Sequence, residues 1–183
     1  MPDTPQLNET TVKQNIIYRG RIVTLRCDDA LLPNGKPCQR EVVDHPGGVC
    51  VLALTDENEV LLVRQFRYPY GEILLELPAG KLEYGEEPLP AGQRELQEET
   101  GAIAETFEEL AIYYPTPGYC GETIHIYLAR GLCFEAPNPD EDEFLQCVRV
   151  PLEEAVQMVM NGEIRDGKTQ VGLLKYAAIN AAK

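Results

Sequence analysis

Three glutamates, Glu95, Glu98 and Glu99, stand at i, i+3 and i+4 of a segment that reads as a helix, so their carboxylates share one face. Like charges that close repel one another and weaken a helix unless a cation sits among them. Hard oxygen donors in such a group suit Mg²⁺ or Mn²⁺, ions that keep part of their water and also bind substrate phosphates. Arg94 lies beside this face and is placed to pair with Glu86 from the preceding loop. Gly80 permits a sharp turn, which would aim the Ala79 carbonyl at the same ion. An acidic helix face taken alone is more often a solvated surface. What raises this one above that reading is the spacing of the whole stretch, from Gly80 through Glu86 and Arg94 to Ala102.

The helix that must carry these groups spans residues 87–100, with Pro88 and Pro90 at its start and Gly101 as its stop. Residues 1–15 read as a loosely ordered tail. Two β-like segments, 21–32 and 38–43, flank the turn signal Pro33-Asn34-Gly35. The apolar runs 49–55 and 60–66, split by Asp56-Glu57-Asn58-Glu59, read as a buried hairpin. A further strand is expected at 73–77. Strands return at 106–114, 123–129 and 143–150, and helices at 152–161 and 169–182 close the chain. Strands gathered around one internal helix, then two trailing helices, give an α+β or α/β sandwich.

Composition narrows the partners. The 183 residues suit one domain with a sizeable core and leave room for a small appended element. A formal net charge of −14 argues against DNA, RNA or an anionic membrane as the main partner, since each needs a basic face. No apolar run approaches the roughly 18 residues of a membrane helix, and no signal peptide is visible at the start of the chain. The six cysteines contain no CxxC pair and read as reduced, packed thiols in a cytoplasmic setting.

The stretch Gly80–Ala102 matches every fixed position of the Nudix box, GX₅EX₇REUXEEXGU, where U is a bulky aliphatic residue; Ala102 is a small residue at the last U. At ordinary residue frequencies the fixed positions coincide on the order of once in 10⁹ start positions, which sets the solvated-face reading aside. The chain therefore resembles the Nudix hydrolases. That resemblance implies an α/β/α sandwich with a mixed sheet over residues 46–183, with a small N-terminal β subdomain over residues 1–45. It also implies two or three Mg²⁺ ions, with Mn²⁺ as the alternative, held by Glu95, Glu98, Glu99 and the Ala79 carbonyl. The reaction implied is metal-assisted attack of water on the diphosphate of a nucleoside diphosphate derivative, in which Glu98 and Arg94 count as catalytic residues.

Outside the box the chain is similar to the ADP-ribose pyrophosphatase group, in Leu32-Pro-Asn-Gly-Lys36, His45-Pro-Gly-Gly48, Arg64-Gln-Phe-Arg67, Leu77-Pro-Ala-Gly-Lys81, Tyr114-Pro-Thr-Pro-Gly118 and Gly162-Glu-Ile-Arg-Asp-Gly-Lys-Thr169. Carried over by position, Arg67 contacts the substrate diphosphate, Arg40, Glu41 and His45 lie near the adenine end, and Thr116 and Glu122 add further contacts. Arg64, three residues before Arg67, faces the other way on a continuous strand. Glu143 resembles a general base on a mobile loop, with Glu141 the next candidate and a plain solvated run, Asp140-Glu141-Asp142-Glu143, the rival reading. The family also implies a homodimer that exchanges N-terminal strands. GDP-mannose or another nucleotide sugar is the alternative substrate, and a non-catalytic nucleotide-sugar sensor is the reading from a different class.

Overall fold

The computed structural model describes residues 6–83, 85–138 and 144–182. Its contacts divide the chain into two compact units, residues 1–46 with 116–122, and residues 47–115 with 123–183.

The first unit is an antiparallel sheet built on β3 (Thr24–Leu31). Along one edge of β3 lie β1 (Thr10–Lys13) and β2 (Ile16–Arg19), and along the other β4 (Pro37–Asp44) pairs from Thr24↔Asp44 to Leu31↔Pro37. The expected tail over residues 1–15 is thus corrected at its end, where β1 pairs Thr10 with Leu31. Every residue of β1 and β2 is exposed, so the backbone ladder rather than apolar burial places them, and the sequence carries no alternation to reveal it. Gly35, at φ 79°, closes the turn between β3 and β4, its amide donating to the Leu32 carbonyl at 2.8 Å. The segment 116–122 joins this unit through Val43, whose amide donates to the Tyr119 carbonyl and whose carbonyl accepts from the Gly121 amide.

In the second unit β5 (Gly48–Ala53) is buried at every residue. It runs parallel to β10 (Ile124–Phe134) and antiparallel to the short β8 (Ala79–Lys81), and β9 (Ala102–Tyr113) completes a mixed sheet in the order β8-β5-β10-β9. A second, antiparallel sheet orders β11 (Leu145–Pro151), β6 (Glu59–Arg67) and β7 (Glu72–Glu76). The buried hairpin expected from residues 49–55 and 60–66 is therefore a correction. The chain does reverse at Thr55–Glu59, but β5 and β6 share one bridge, Leu54↔Val60, before entering different sheets. Both edges of β5 are already filled, by β8 and β10.

Alternation along β5 sorts the core into layers. Cys50, Leu52 and Leu54 pack with Leu62, Ile126, Leu152, Ala155 and Leu173, the last three from α2 (Leu152–Met160) and α3 (Gly167–Ala181). Val49, Val51 and Ala53 face the other way, toward Ala91 and Leu96 of α1 (Pro88–Thr100). Helix, sheet and helices thus form the α/β/α sandwich that the sequence implied.

Candidate active site

The buried stripe of α1 is Ala91, Gly92, Glu95, Leu96, Glu99 and Thr100, so the same face that packs on the sheet also carries two glutamates into the interior. Pro88 occupies the first turn, and Gly101, at φ 73°, ends the helix with its amide on the Gln97 carbonyl. Glu99, 2% exposed, accepts the Ala79 amide at 3.0 Å and so ties the start of β8 to the helix. Glu95 lies against Gly80, where any Cβ would run into its carboxylate. Gly80 does not make the sharp turn its sequence context suggested. It is a strand residue, paired with Val49, and its value lies in the missing side chain that lets the Glu95 carboxylate approach the backbone.

Arg94 stands among the acids. It pairs with Glu86 at 3.1 Å, Glu95 at 2.9 Å and Glu98 at 2.7 Å. Burial works against its charge, but the bonds to Glu86 and Glu98 and the charge of Glu95 more than offset this and push its pKa above the usual range. The hydrogen bond from Arg94 in turn holds the Glu86 carboxyl below its ordinary value. Glu86 also accepts the Glu83 amide at 2.9 Å, which fixes the loop before the helix.

Among the described residues no three His, Cys, Asp or Glu side chains are gathered closely enough to hold a metal ion as they stand. Two of the box glutamates, Glu95 and Glu98, are instead paired with the Arg94 guanidinium. The donor set nonetheless fits a hard divalent ion. Glu86, Glu95, Glu98 and Glu99 gather near a single arginine here, and Gly80 makes room for the Glu95 carboxylate beside the backbone.

A second polar cluster borders the same core, from residues that the sequence reading left unassigned apart from Arg67. Glu76, 1% exposed at the end of β7, accepts a forked pair from Arg67, Nε to Oε1 and Nη2 to Oε2, both at 2.7 Å. Lys168 also donates to Glu76 and reaches Asp166 at 3.0 Å. Asp166 caps α3 by accepting the Thr169 amide at 3.0 Å, and the Thr169 hydroxyl accepts the Leu77 amide at 2.9 Å. Burial pushes the Glu76 carboxyl up, yet Arg67 and Lys168 overcome this and hold its pKa at about 2. The Glu99 charge also acts on Arg67, so the acidic helix face and this cluster share one field. Lys168 and Asp166 fall inside the stretch Gly162–Thr169 singled out by resemblance; Glu76 carried no signal beyond an acidic residue where a strand should be apolar.

The remaining sequence-predicted residues belong to the first unit, apart from Glu143, which lies outside the described residues. His45 and Glu122 approach to 3.5 Å. Arg40 is paired with Glu9 at 2.5 Å, and Glu41, opposite Cys27 in the β3–β4 ladder, is exposed. The Thr116 carbonyl accepts the Cys120 amide at 3.0 Å. A groove of about 460 Å³ in this unit, lined by Val12, Ala30, Leu31, Pro37 and Cys38 among others, includes none of them.

Against known proteins, residues 44–169 match the model of the NUDIX domain, and residues 9–43 match that of the nucleoside diphosphate sugar hydrolase N-terminal domain. The chain is 44% identical to an ADP-ribose pyrophosphatase of Bacillus subtilis (strain 168), over 89% of each chain. It is likewise 44% identical to a methanol dehydrogenase activator of Bacillus methanolicus, over 90% of each. A GDP-mannose pyrophosphatase of Yersinia enterocolitica is 36% identical, over 83% of this chain and 85% of its own. The fold superposes on the crystal structure of an ADP compounds hydrolase with a TM-score of 0.84, covering 98% of both chains at 22% identity. With the box glutamates gathered on α1 and the NUDIX model spanning most of its length, the chain belongs to the Nudix family.

Proposed function

We propose that this protein hydrolyses the diphosphate of ADP-ribose, water attacking one phosphorus while a P–O bond of the bridge breaks, to release AMP and ribose 5-phosphate. The observation that carries the hydrolytic reading is the group of three carboxylates around Arg94, with a fourth, Glu99, on the Ala79 amide, an arrangement short of positive charge and made of hard oxygen donors. Nudix hydrolases generally need divalent metal ions. Glu95, Glu98, Glu99 and the Ala79 carbonyl are the donors we assign to two or three Mg²⁺, with Mn²⁺ as a substitute. When bound, such ions neutralise the diphosphate and lower the pKa of the attacking water. Arg94 keeps Glu95 and Glu98 aligned on the helix, and Arg67 grips the diphosphate. Glu143 takes the proton from the attacking water. Arg40, Glu41, His45, Thr116 and Glu122 are assigned to the nucleotide end.

The first unit we assign to dimer formation through its N-terminal strands, supported by the exposed Val12, Ile16, Ile17 and Tyr18 on β1 and β2. A cytoplasmic setting fits six cysteines that form no disulfide. Among the described residues no helix is long and apolar enough to cross a membrane. GDP-mannose is the second reading, favoured by the Yersinia relative but at lower identity than the ADP-ribose pyrophosphatase.

Incubation with ADP-ribose and GDP-mannose side by side, with Mg²⁺ or with EDTA, tests this by product chromatography. AMP and ribose 5-phosphate should dominate and vanish with EDTA; a preponderance of GMP would transfer the assignment to GDP-sugars. Glu143→Gln should lower kcat by about 10²–10⁴-fold. If Glu141→Gln does so instead, the base is Glu141.

A further inference from the structure

Glu76 is an anomaly in its surroundings. It ends an apolar strand, is 1% exposed, and lies next to the fully buried Leu77. A buried ion pair seldom stabilises a fold beyond what an apolar residue of like volume would supply, and losing one partner is costly. Stability alone therefore gives little reason for a carboxylate here. Register gives no reason either. Arg67 stands opposite Glu72 in the β6–β7 ladder, while Glu76 stands opposite Val63, so the Arg67 side chain runs back along the hairpin to reach it. Glu72, the direct neighbour, is paired with Arg165 instead.

We infer that Glu76 is a positioning residue for the hydrolysis proposed above, holding Arg67 and Lys168 side by side as a fixed pair of donors for the substrate's phosphates. The inference rests on the assignment of Arg67 to the diphosphate. The fork on Glu76 occupies Nε and one Nη2 hydrogen of Arg67; among the described residues its other N–H groups have no partner, and the side chain stays 36% exposed. Lys168 meets the same Oε2 from the first turn of α3 and is steadied by Asp166. Two cations and two carboxylates leave this cluster without net charge. Its contribution is then direction rather than field, since donors fixed beforehand need no reordering when the substrate arrives.

Removing the Glu76 charge discriminates between these roles, because it leaves the cluster with a net positive charge. If only field mattered, Glu76→Gln would bind an anionic substrate more tightly and KM would fall. A positioning role requires kcat/KM to fall, by about 10–10²-fold. Steady-state kinetics with ADP-ribose and Mg²⁺ on Arg67→Ala, Glu76→Gln and the double variant provide the test. We expect the double variant to lose clearly less than the two single losses combined, because part of what Glu76 does it does through Arg67 and the rest through Lys168. Should Glu76→Gln fail to fold, as judged by its melting curve, Glu76→Asp keeps the charge but shortens the reach by one methylene, and should show the same loss of kcat/KM in a folded protein. Losses that add, or kcat/KM in the folded variant within about twofold of the parent, overturn the role of Glu76. An unchanged Arg67→Ala would remove Arg67 from substrate binding, and the inference with it.

Discussion

The acidic face of α1 and the cluster around Glu76 are built from the same materials, carboxylates and long cations, in one compact unit. Their charge balance differs. Around Arg94 a single guanidinium meets Glu86, Glu95 and Glu98, with Glu99 on the same face. Around Glu76, Arg67 and Lys168 are matched by Glu76 and Asp166. The first arrangement is deficient in positive charge, which the metal ions proposed above would supply; the second is satisfied by the chain itself. If the proposed roles hold, a site that recruits metal and a site that orients a ligand need not differ in residue types, only in the ratio of the two signs.

The largest effect should come from Arg94→Ala, which leaves three carboxylates without their shared counter-ion. We expect a loss of about 3–4 kcal/mol by denaturant unfolding, at the low end for a one-sided break because Arg94 is a third exposed. Millimolar Mg²⁺ should recover part of it, about 2.7 kcal/mol at a hundredfold excess over Kd. Lys168→Ala should show no comparable rescue, and if it does the contrast between the two clusters fails.

Acid should separate the clusters next. The Glu76 pKa falls from 4.5 to about 2 on folding. Its stabilisation is then fully present above pH 4.5 and is lost as pH falls through about 2, a contribution of up to about 3 kcal/mol. Unfolding free energies measured between pH 5 and 2 should steepen in the parent and flatten in Glu76→Gln; parallel curves would mean that Glu76 is not held ionised. The smallest change is Gly80→Ala. Its Cβ would meet the Glu95 carboxylate, so we expect a cost of about 1–3 kcal/mol together with a weakened Mg²⁺-induced rise in Tm. Full retention of that rise would show that Glu95 can vacate its cradle without harm to metal binding.

The sequence disclosed these regions unequally. Glu95, Glu98 and Glu99 were legible because helical spacing alone puts them on one face, and the start and stop of α1 were marked by Pro88 and Gly101. The pairing of Arg94 with Glu86 was likewise expected from the loop and helix. The partition of β5 and β6 into separate sheets was not, since a run buried on both faces looks the same whichever strands flank it. β1 was hidden for the opposite reason, having no buried side chain to mark it. Glu76 and Lys168 are 92 residues apart, and only the folded chain brings them together.

That separation orders the assembly of the enzyme in time. A ribosome releases the acidic helix well before it releases Lys168 and Thr169, and the Leu77 amide just ahead of β8 has no hydroxyl to meet until Thr169 emerges. A nascent chain can therefore carry the whole motif and still lack the clasp that seats it.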